Sequence, residues 1–381
     1  MKDDVHAHSL IKRVALVLQG GGALGAYQAG IYQGLQEHGL TPDWVVGTSI
    51  GAINAAIIAG NKPDDRVTRL EEFWHGVARY DMFDMKKIPD SVRQFNTWLS
   101  SLAVVMRGAP GFFMPRPFSL FASGLQVLPE QASYYDTSEL KNTLARLVDF
   151  DYLNMVRDMR LTVSAVQVTT GKLRHFDNSR QKIRIEHLMA SGALPPGFPG
   201  MRVDGDLYWD GGLYSNTPLE IVLDEEPRVD TLCFMVDLWS AKGPEPRTLD
   251  EVGTRTKDIT FASRSKRHID AYLQIHALRH TIRALHERLT PEQKKESDLQ
   301  ELAAMGSDST MHIVHLAYAG RDWNMASKDI NFARGSIQWR WDQGYRDVTR
   351  ALKEACWLEP VAASTGLVVH ELAPHRRSTS A

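Results

Sequence analysis

Val45-Val46-Gly47-Thr48-Ser49-Ile50-Gly51-Ala52, continued by Ile53-Asn54-Ala55-Ala56-Ile57-Ile58-Ala59, takes a short apolar strand straight into a helix that is apolar nearly all round. A strand that reverses directly into a helix strains the residue at its apex, and glycines two positions before and two after remove side chains that would collide there. Ser49 is that apex. Its hydroxyl stands clear of the backbone at the positive end of the following helix, which suits a nucleophile that passes through anionic intermediates. An all-round apolar helix over 52–59 belongs in a core, so the serine is held rigidly.

Upstream, Val14-Ala15-Leu16-Val17-Leu18 is a continuous apolar pentad, the pattern of a strand buried on both faces of a parallel sheet. It ends in Gly20-Gly21-Gly22-Ala23-Leu24-Gly25, after which Tyr27, Ile31 and Leu35 recur at helical spacing. Gly39 and Pro42 close that helix and Trp44 opens the next strand, so residues 13–60 read as a βαβα run on a parallel sheet. Both glycine turns then lie at the C-terminal ends of strands, where open α/β sheets place ligands.

Downstream, Val67, Leu70, Phe73, Trp74 and Val77 mark an amphipathic helix, and the pattern loosens from 81 to 124. That stretch, with Phe112-Phe113-Met114, reads either as a loop packed on the body or as an apolar rim that docks on lipid. A helix is expected over 137–147, a strand over 161–168 with a return over 173–176, and a short helix from Ile185 to Ser191. Gly192 to Gly200 holds three prolines and cannot be regular. Asp204-Gly205 is a hairpin turn signal, so the return strand ends at Trp209 and Asp210-Gly211-Gly212 places a carboxylate in a glycine turn. After a buried strand over 231–239, Ser240 to Pro246 breaks the pattern and reads as a domain boundary. Residues 247–360 are expected to be mainly helical, with one strand over 311–318 that rejoins the sheet and a final helix over 336–355. The 373–381 tail is expected to be disordered.

The chain has 381 residues, is 43% hydrophobic, and sets 44 Lys plus Arg against 46 Asp plus Glu, a balance that argues against nucleic acid as a partner. Two cysteines, Cys233 and Cys356, fit a reducing compartment. The N-terminal segment, residues 1–12, carries acids where a signal peptide needs a basic start, and no run reaches the roughly 18 apolar residues of a spanning helix. The expected location is cytoplasmic.

Glycine loop, serine elbow, Asp-Gly-Gly turn and the segment Ala190-Ser191-Gly192-Ala193-Leu194-Pro195 together resemble, in order and spacing, the patatin-like phospholipase family over roughly residues 10–240. The resemblance implies an α/β three-layer sandwich with a mainly parallel sheet for residues 13–240, followed by a helical extension of the kind found on some bacterial members, to which no chemistry is assigned. It implies a Ser-Asp dyad of Ser49 and Asp210, an oxyanion hole at Gly20, Gly21, Gly22 and Gly25, and supporting glycines at Gly47, Gly51, Gly211 and Gly212. The implied substrate is a lipid ester, cleaved without metal or cofactor through an acyl-enzyme, with peripheral contact to the inner membrane. A free aspartate with a pKa of about 3.9 is a weak base at neutral pH, so such a site must desolvate it. The chain departs from the family at Leu24, where many members carry Arg or Lys, which puts the headgroup preference in doubt rather than the hydrolysis.

Three rival readings compete. G-x-G-x-x-G after a strand, with Asp43 some 20 residues on, also meets the dinucleotide fingerprint. An α/β-hydrolase triad would recruit His312 or His315, although residues three apart on a strand face opposite ways. A lipid-binding protein of the same fold without turnover is the third.

Overall fold

The computed structural model describes residues 11–79, 104–117, 124, 126–156, 158–262, 265–320, 327–362 and 365–372. Most of the 81–124 stretch, the first ten residues and the tail lie outside the described residues.

The chain opens with β1 (Arg13–Leu18), the glycine loop, α1 (Ala26–Glu37), β2 (Trp44–Thr48), α2 (Ile50–Ala59) and α3 (Arg66–Val77). Next come α4 (Ser138–Leu147), α5 (Phe150–Met155), β3 (Arg160–Gln167), β4 (Leu173–Asp177), α6 (Ile185–Ser191), β5 (Met201–Val203), β6 (Asp206–Asp210), α7 (Glu220–Leu223) and β7 (Thr231–Asp237). The chain continues with α8 (Leu249–Phe261), α9 (Ser265–Glu287), α10 (Ser297–Ala304), β8 (Met311–Ala317), α11 (Arg334–Glu354) and β9 (Leu367–Glu371). These nine strands form one sheet in the order β9-β8-β7-β1-β2-β3-β6-β5, with β4 also paired to β3. From β9 to β3 every pairing is parallel, and β4, β6 and β5 close the other edge antiparallel.

Both faces of the parallel strands are buried, which is why their sequences are continuously apolar rather than alternating. Ala15, Val17, Trp44, Val46, Cys233, Met235 and Ile313 point to one face, under α7 and Ile269 of α9. Leu16, Leu18, Val45, Phe234, Val236 and Leu316 point to the other, under α1, α2, α3 and α11. Helices on both sides of a mainly parallel sheet make the three-layer sandwich that the resemblance implies. Cys233 is a buried core residue, and burial pushes its thiol up to about 12.

Residues beyond the break at 240–246 do not stand apart. β8 and β9 extend the same sheet from β7, so this segment is helical with two strands, and β9 has no counterpart in the sequence reading. On the helical layer α11 lies against α1 with almost no gap: a methyl group on Gly30 would collide with the Trp341 carbonyl, and one on Gly344 with the Tyr27 carbonyl. Tyr27 donates to the buried Asp347 carboxylate at 2.9 Å and Trp341 to Gln33 at 2.6 Å across the same seam.

Phe112 and Phe113, read from the sequence either as packed on the body or as an apolar rim that docks on lipid, are 5% and 3% exposed. Their rings pack on Phe198 at 6.0 and 5.1 Å and on Phe332 at 5.7 and 6.2 Å, so they staple three loops together inside the body. A loop sequence cannot distinguish an aromatic pair that other loops cover from one left in water; of the two readings, the structure favours the loop packed on the body over the docking rim. No helix among the described residues is long and apolar enough to cross a membrane.

The seam between α1 and α11 makes a stability prediction. Gly30→Ala forces two backbones apart and is expected to cost about 1–3 kcal/mol, the usual range for overpacking. Gly76→Ala, on α3 with open space around it, is expected to cost nothing and to gain up to about 1 kcal/mol from helix propensity. Urea denaturation of both variants checks the contrast; equal effects would mean that the seam is not close-packed.

Candidate active site

Sheet register brings the site together. Leu18 of β1 pairs with Gly47 of β2, and Thr48 of β2 with Ser164 of β3, so the chain leaves β1 and β2 at one level. Asp210, the last residue of β6, pairs with Ala165, one residue further along β3. The glycine loop, Ser49 and Asp210 therefore meet at a single point on the C-terminal edge of the parallel strands.

Ser49 is half-buried, with φ 56° and ψ −124°. A non-glycine residue in that region costs about 1–3 kcal/mol and persists only where its surroundings impose it. They do so here. A side chain on Gly51 would collide with the Leu18 carbonyl, and one on Gly47 with the Gly51 backbone, so α2 begins in contact with two strands and leaves no room for a gentler turn. The Ser49 N–H donates to the buried Ser191 Oγ at 3.1 Å, which ties the elbow to the end of α6. Ser191 thus acts on the backbone of the elbow.

Asp210 is 1% exposed. Its Oδ1 accepts the Gly212 N–H at 2.7 Å, and its own N–H donates to the Ala193 carbonyl at 3.0 Å. A side chain on Gly211 would come within 2.6 Å of the Ser164 carbonyl, so glycine lets the turn lie directly on β3. Gly212 packs close to the Asn216 side chain in the same way. Burial raises the Asp210 pKa to about 7, against the lowering influence of the Ser49 hydroxyl and the Gly212 amide. A carboxylate tuned to neutral pH beside a strained serine has the proton affinity and position that a general base for that serine needs.

The glycine loop has a division of labour that its composition hides. Gly20 lies against Ser49, with 3.1 Å from the site of its missing side chain to Ser49 Cβ, yet its N–H is committed to the Asn216 carbonyl at 3.1 Å. Gly20 therefore serves as a spacer, which corrects its expected place among the oxyanion donors. Gly21 and Gly22 open a short 3-10 turn over Gly22–Gly25, with Gly22 at φ 56°. A side chain on Gly25 would press within 2.6 Å of Ile50, and its carbonyl accepts from Asn54, so Gly25 is a packing residue under the loop. Two residues absent from the sequence reading clamp the loop. Asn216 Nδ2 donates to the Gly20 carbonyl at 3.1 Å and to the Phe261 carbonyl at 2.8 Å. The buried Gln19 side chain accepts from the Trp239 N–H at 3.0 Å and from the Leu238 N–H, and donates to Phe261. The only sequence signal for Gln19 was a polar residue ending an apolar pentad.

The rival constellations come apart. Asp43 precedes β2, at the sheet edge opposite the glycine loop, and accepts the Val14 N–H at 2.9 Å, so it cannot meet a ribose held at that loop. His312 and His315 lie on β8, three strand spacings or roughly 14 Å from β2. His315 pairs with Asp237 at 2.9 Å and His312 with His370 at 2.9 Å.

A sequence model described as patatin-like phospholipase matches residues 16–223, more than half of the chain. The chain belongs to the patatin-like phospholipase family. A second family model, described as patatin phospholipase, matches residues 259–364. Among curated relatives of this patatin-like chain, the mouse patatin-like phospholipase domain-containing protein 6 is 26% identical over 208 residues, which is 55% of this chain and 12% of that protein. Triacylglycerol lipase SDP1L of Arabidopsis thaliana is 32% identical over 81 residues, 21% of this chain and 10% of that protein. Lysophospholipase nte1 of Aspergillus terreus is 49% identical over 61 residues, 15% of this chain and 4% of that protein. The chain spans about a tenth or less of these relatives. Among solved structures, human GIVD cytosolic phospholipase A2 aligns over 92% of this chain and 60% of its own with a TM-score of 0.42 and 10% identity. VipD of Legionella pneumophila aligns over 90% and 67%, with 0.40 and 15%.

Raising the pKa of a buried acid has a sign that can be tested without turnover. Asp210 binds its proton more tightly folded than unfolded, so its contribution is complete below the unfolded pKa and is lost as pH rises towards about 7. Asp210→Asn removes that loss. Its unfolding free energy relative to wild type is expected to increase between pH 5 and pH 8 by on the order of 2 kcal/mol, and a pH-independent difference in urea melts would contradict the buried titration.

Proposed function

We propose that this protein is a lipid acyl hydrolase that cleaves carboxylic esters through Ser49 and Asp210. The observation that carries the reading is the pairing of a serine at positive φ on a helix N-terminus with a fully buried carboxylate whose pKa burial has raised to about 7. Asp210 accepts the Ser49 proton as Oγ attacks the ester carbonyl. The oxyanion so formed takes hydrogen bonds from the backbone N–H groups of Gly21 and Gly22, and the dipole of α2 favours the negative charge. Collapse of the intermediate breaks the bond to the leaving oxygen, which takes the proton from Asp210 and departs as an alcohol. Water then gives its proton to Asp210, attacks the acyl-enzyme, and the fatty acid leaves as Ser49 is reprotonated.

A lipid as the source of the ester is supported by family membership and by the surroundings of the site. Leu213 and Tyr214, 48% and 64% exposed, directly follow the Asp-Gly-Gly turn and form an apolar lip beside it suited to an acyl chain. Peripheral contact with a membrane follows from that substrate class and belongs to this lip rather than to Phe112 and Phe113. Leu24, wholly buried, offers no charge to a headgroup, so neutral and zwitterionic lipid esters are the expected substrates.

A fluorophosphonate probe tests the assignment. Covalent labelling is expected at Ser49 and is expected to be lost in Ser49→Ala and Asp210→Asn, with hydrolysis of a p-nitrophenyl acyl ester down by about 1,000-fold or more in each. Absence of labelling in folded wild type would refute the reading. Because the base must be unprotonated, kcat/KM is expected to rise with pH through a midpoint near 7; a flat profile from pH 5 to 9 would remove Asp210 from that role.

A further inference from the structure

Arg340 of α11 is completely buried and reaches the glycine loop from 317 residues away in sequence. Its Nη1 donates to the Ala23 carbonyl at 2.9 Å and to the Asn331 carbonyl at 3.0 Å, and its Nη2 to the Lys328 carbonyl at 2.8 Å. A guanidinium taken out of water is costly unless its donors are met, and these carbonyls meet them in a fork that a lysine cannot reproduce. The bonds join two segments at the site: the glycine loop at Ala23, and the 328–331 loop that covers it. Within that second loop the Asp329 carbonyl sits where a Gly22 side chain would be, so Gly22 at φ 56° is held between the two. The 328–331 loop is itself fastened to α8, by Lys328 to Asp258 at 2.5 Å and by Lys257 to Asp329 at 2.7 Å.

We propose that Arg340 is a positioning residue for the glycine loop, holding Gly21 and Gly22 in the conformation that presents their N–H groups to the reaction at Ser49. The 247–360 segment is then a working part of the hydrolase rather than an appendage. The inference rests on the reading of Gly21 and Gly22 as oxyanion donors. Preorganised donors work because they do not rearrange during reaction, so loosening them weakens transition-state binding while the ground-state ester still binds.

The test compares Arg340→Ala and Arg340→Lys with wild type, in the full chain. For a soluble p-nitrophenyl ester, kcat is expected to fall about 10- to 100-fold in Arg340→Ala with KM changed less than about 3-fold, and less steeply in Arg340→Lys. Millimolar ethylguanidinium is expected to restore part of the Arg340→Ala rate. Hydrogen exchange, read by mass spectrometry without any substrate, is expected to speed up in the peptide spanning 19–26 and to stay unchanged in the peptide spanning 44–59. If Arg340→Ala does not fold, Arg340→Lys, which keeps the charge and most of the volume, carries both readouts. Unchanged kcat with unchanged exchange at 19–26 would overturn the proposal, as would exchange that rises equally throughout the chain. Wild-type protein that neither labels at Ser49 nor turns over would sink the hydrolase reading instead, and the exchange result would still decide whether Arg340 holds the loop.

Discussion

The contact between the start of α2 and the ends of β1 and β2 is the constraint on which the rest of the structure depends. Gly47 and Gly51 let helix and strands touch backbone to backbone, and the helix can follow the strand without a loop only if Ser49 accepts a positive φ. The strain is sustained because α2 is buried along its whole length, so releasing it would mean withdrawing a core helix from the sheet. Neighbouring features answer to the same point. Gly20 is small because the Asn216 side chain and Ser49 are beside it, and Gly25 is small because Ile50 is beside it.

Electrostatics at the site follows from depth. Asp210 ends a strand that pairs with β3 and turns through glycines close enough to rest on the Ser164 backbone, so its carboxylate is withdrawn from bulk solvent that would stabilise its charge. The desolvation that raises the proton affinity of the residue also lowers the stability of the fold as the pH rises towards neutrality. The Ser49 hydroxyl and the Gly212 amide are set against burial. The balance leaves Asp210 poised between its charge states near neutrality.

Beyond residue 247 the chain supplies both an edge and a wall. β8 and β9 continue the parallel sheet away from the site, while α11 closes on α1 through Gly30 and Gly344. That close approach is what allows a side chain on α11 to reach the glycine loop: with ordinary helix spacing of 8–10 Å the Arg340 guanidinium would lie farther from Ala23. Packing of the helical layer and geometry of the site are in this way one problem.

Much of this was legible in the linear chain, and for identifiable reasons. Buried parallel strands write themselves as apolar runs, α1 as a four-residue recurrence of Tyr27, Ile31 and Leu35, and the elbow as glycines flanking Ser49, because each of these demands is local. Asp210 could be picked out because a hairpin turn at Asp204-Gly205 and a double glycine bracket it. What the sequence could not carry were contacts between residues with no pattern in common. Gln19 and Asn216 clamp the loop, Phe112 and Phe113 turn inward, and Arg340 crosses from an ordinary amphipathic helix to the glycine loop. Gly20 likewise looks like its neighbours in sequence and loses its donor to a carbonyl 196 residues away. Local backbone rules determined the turns that carry Ser49 and Asp210; only the folded chain decided which backbone groups are already taken, because a hydrogen bond is allotted by proximity in space, and proximity across hundreds of residues leaves no periodicity to read.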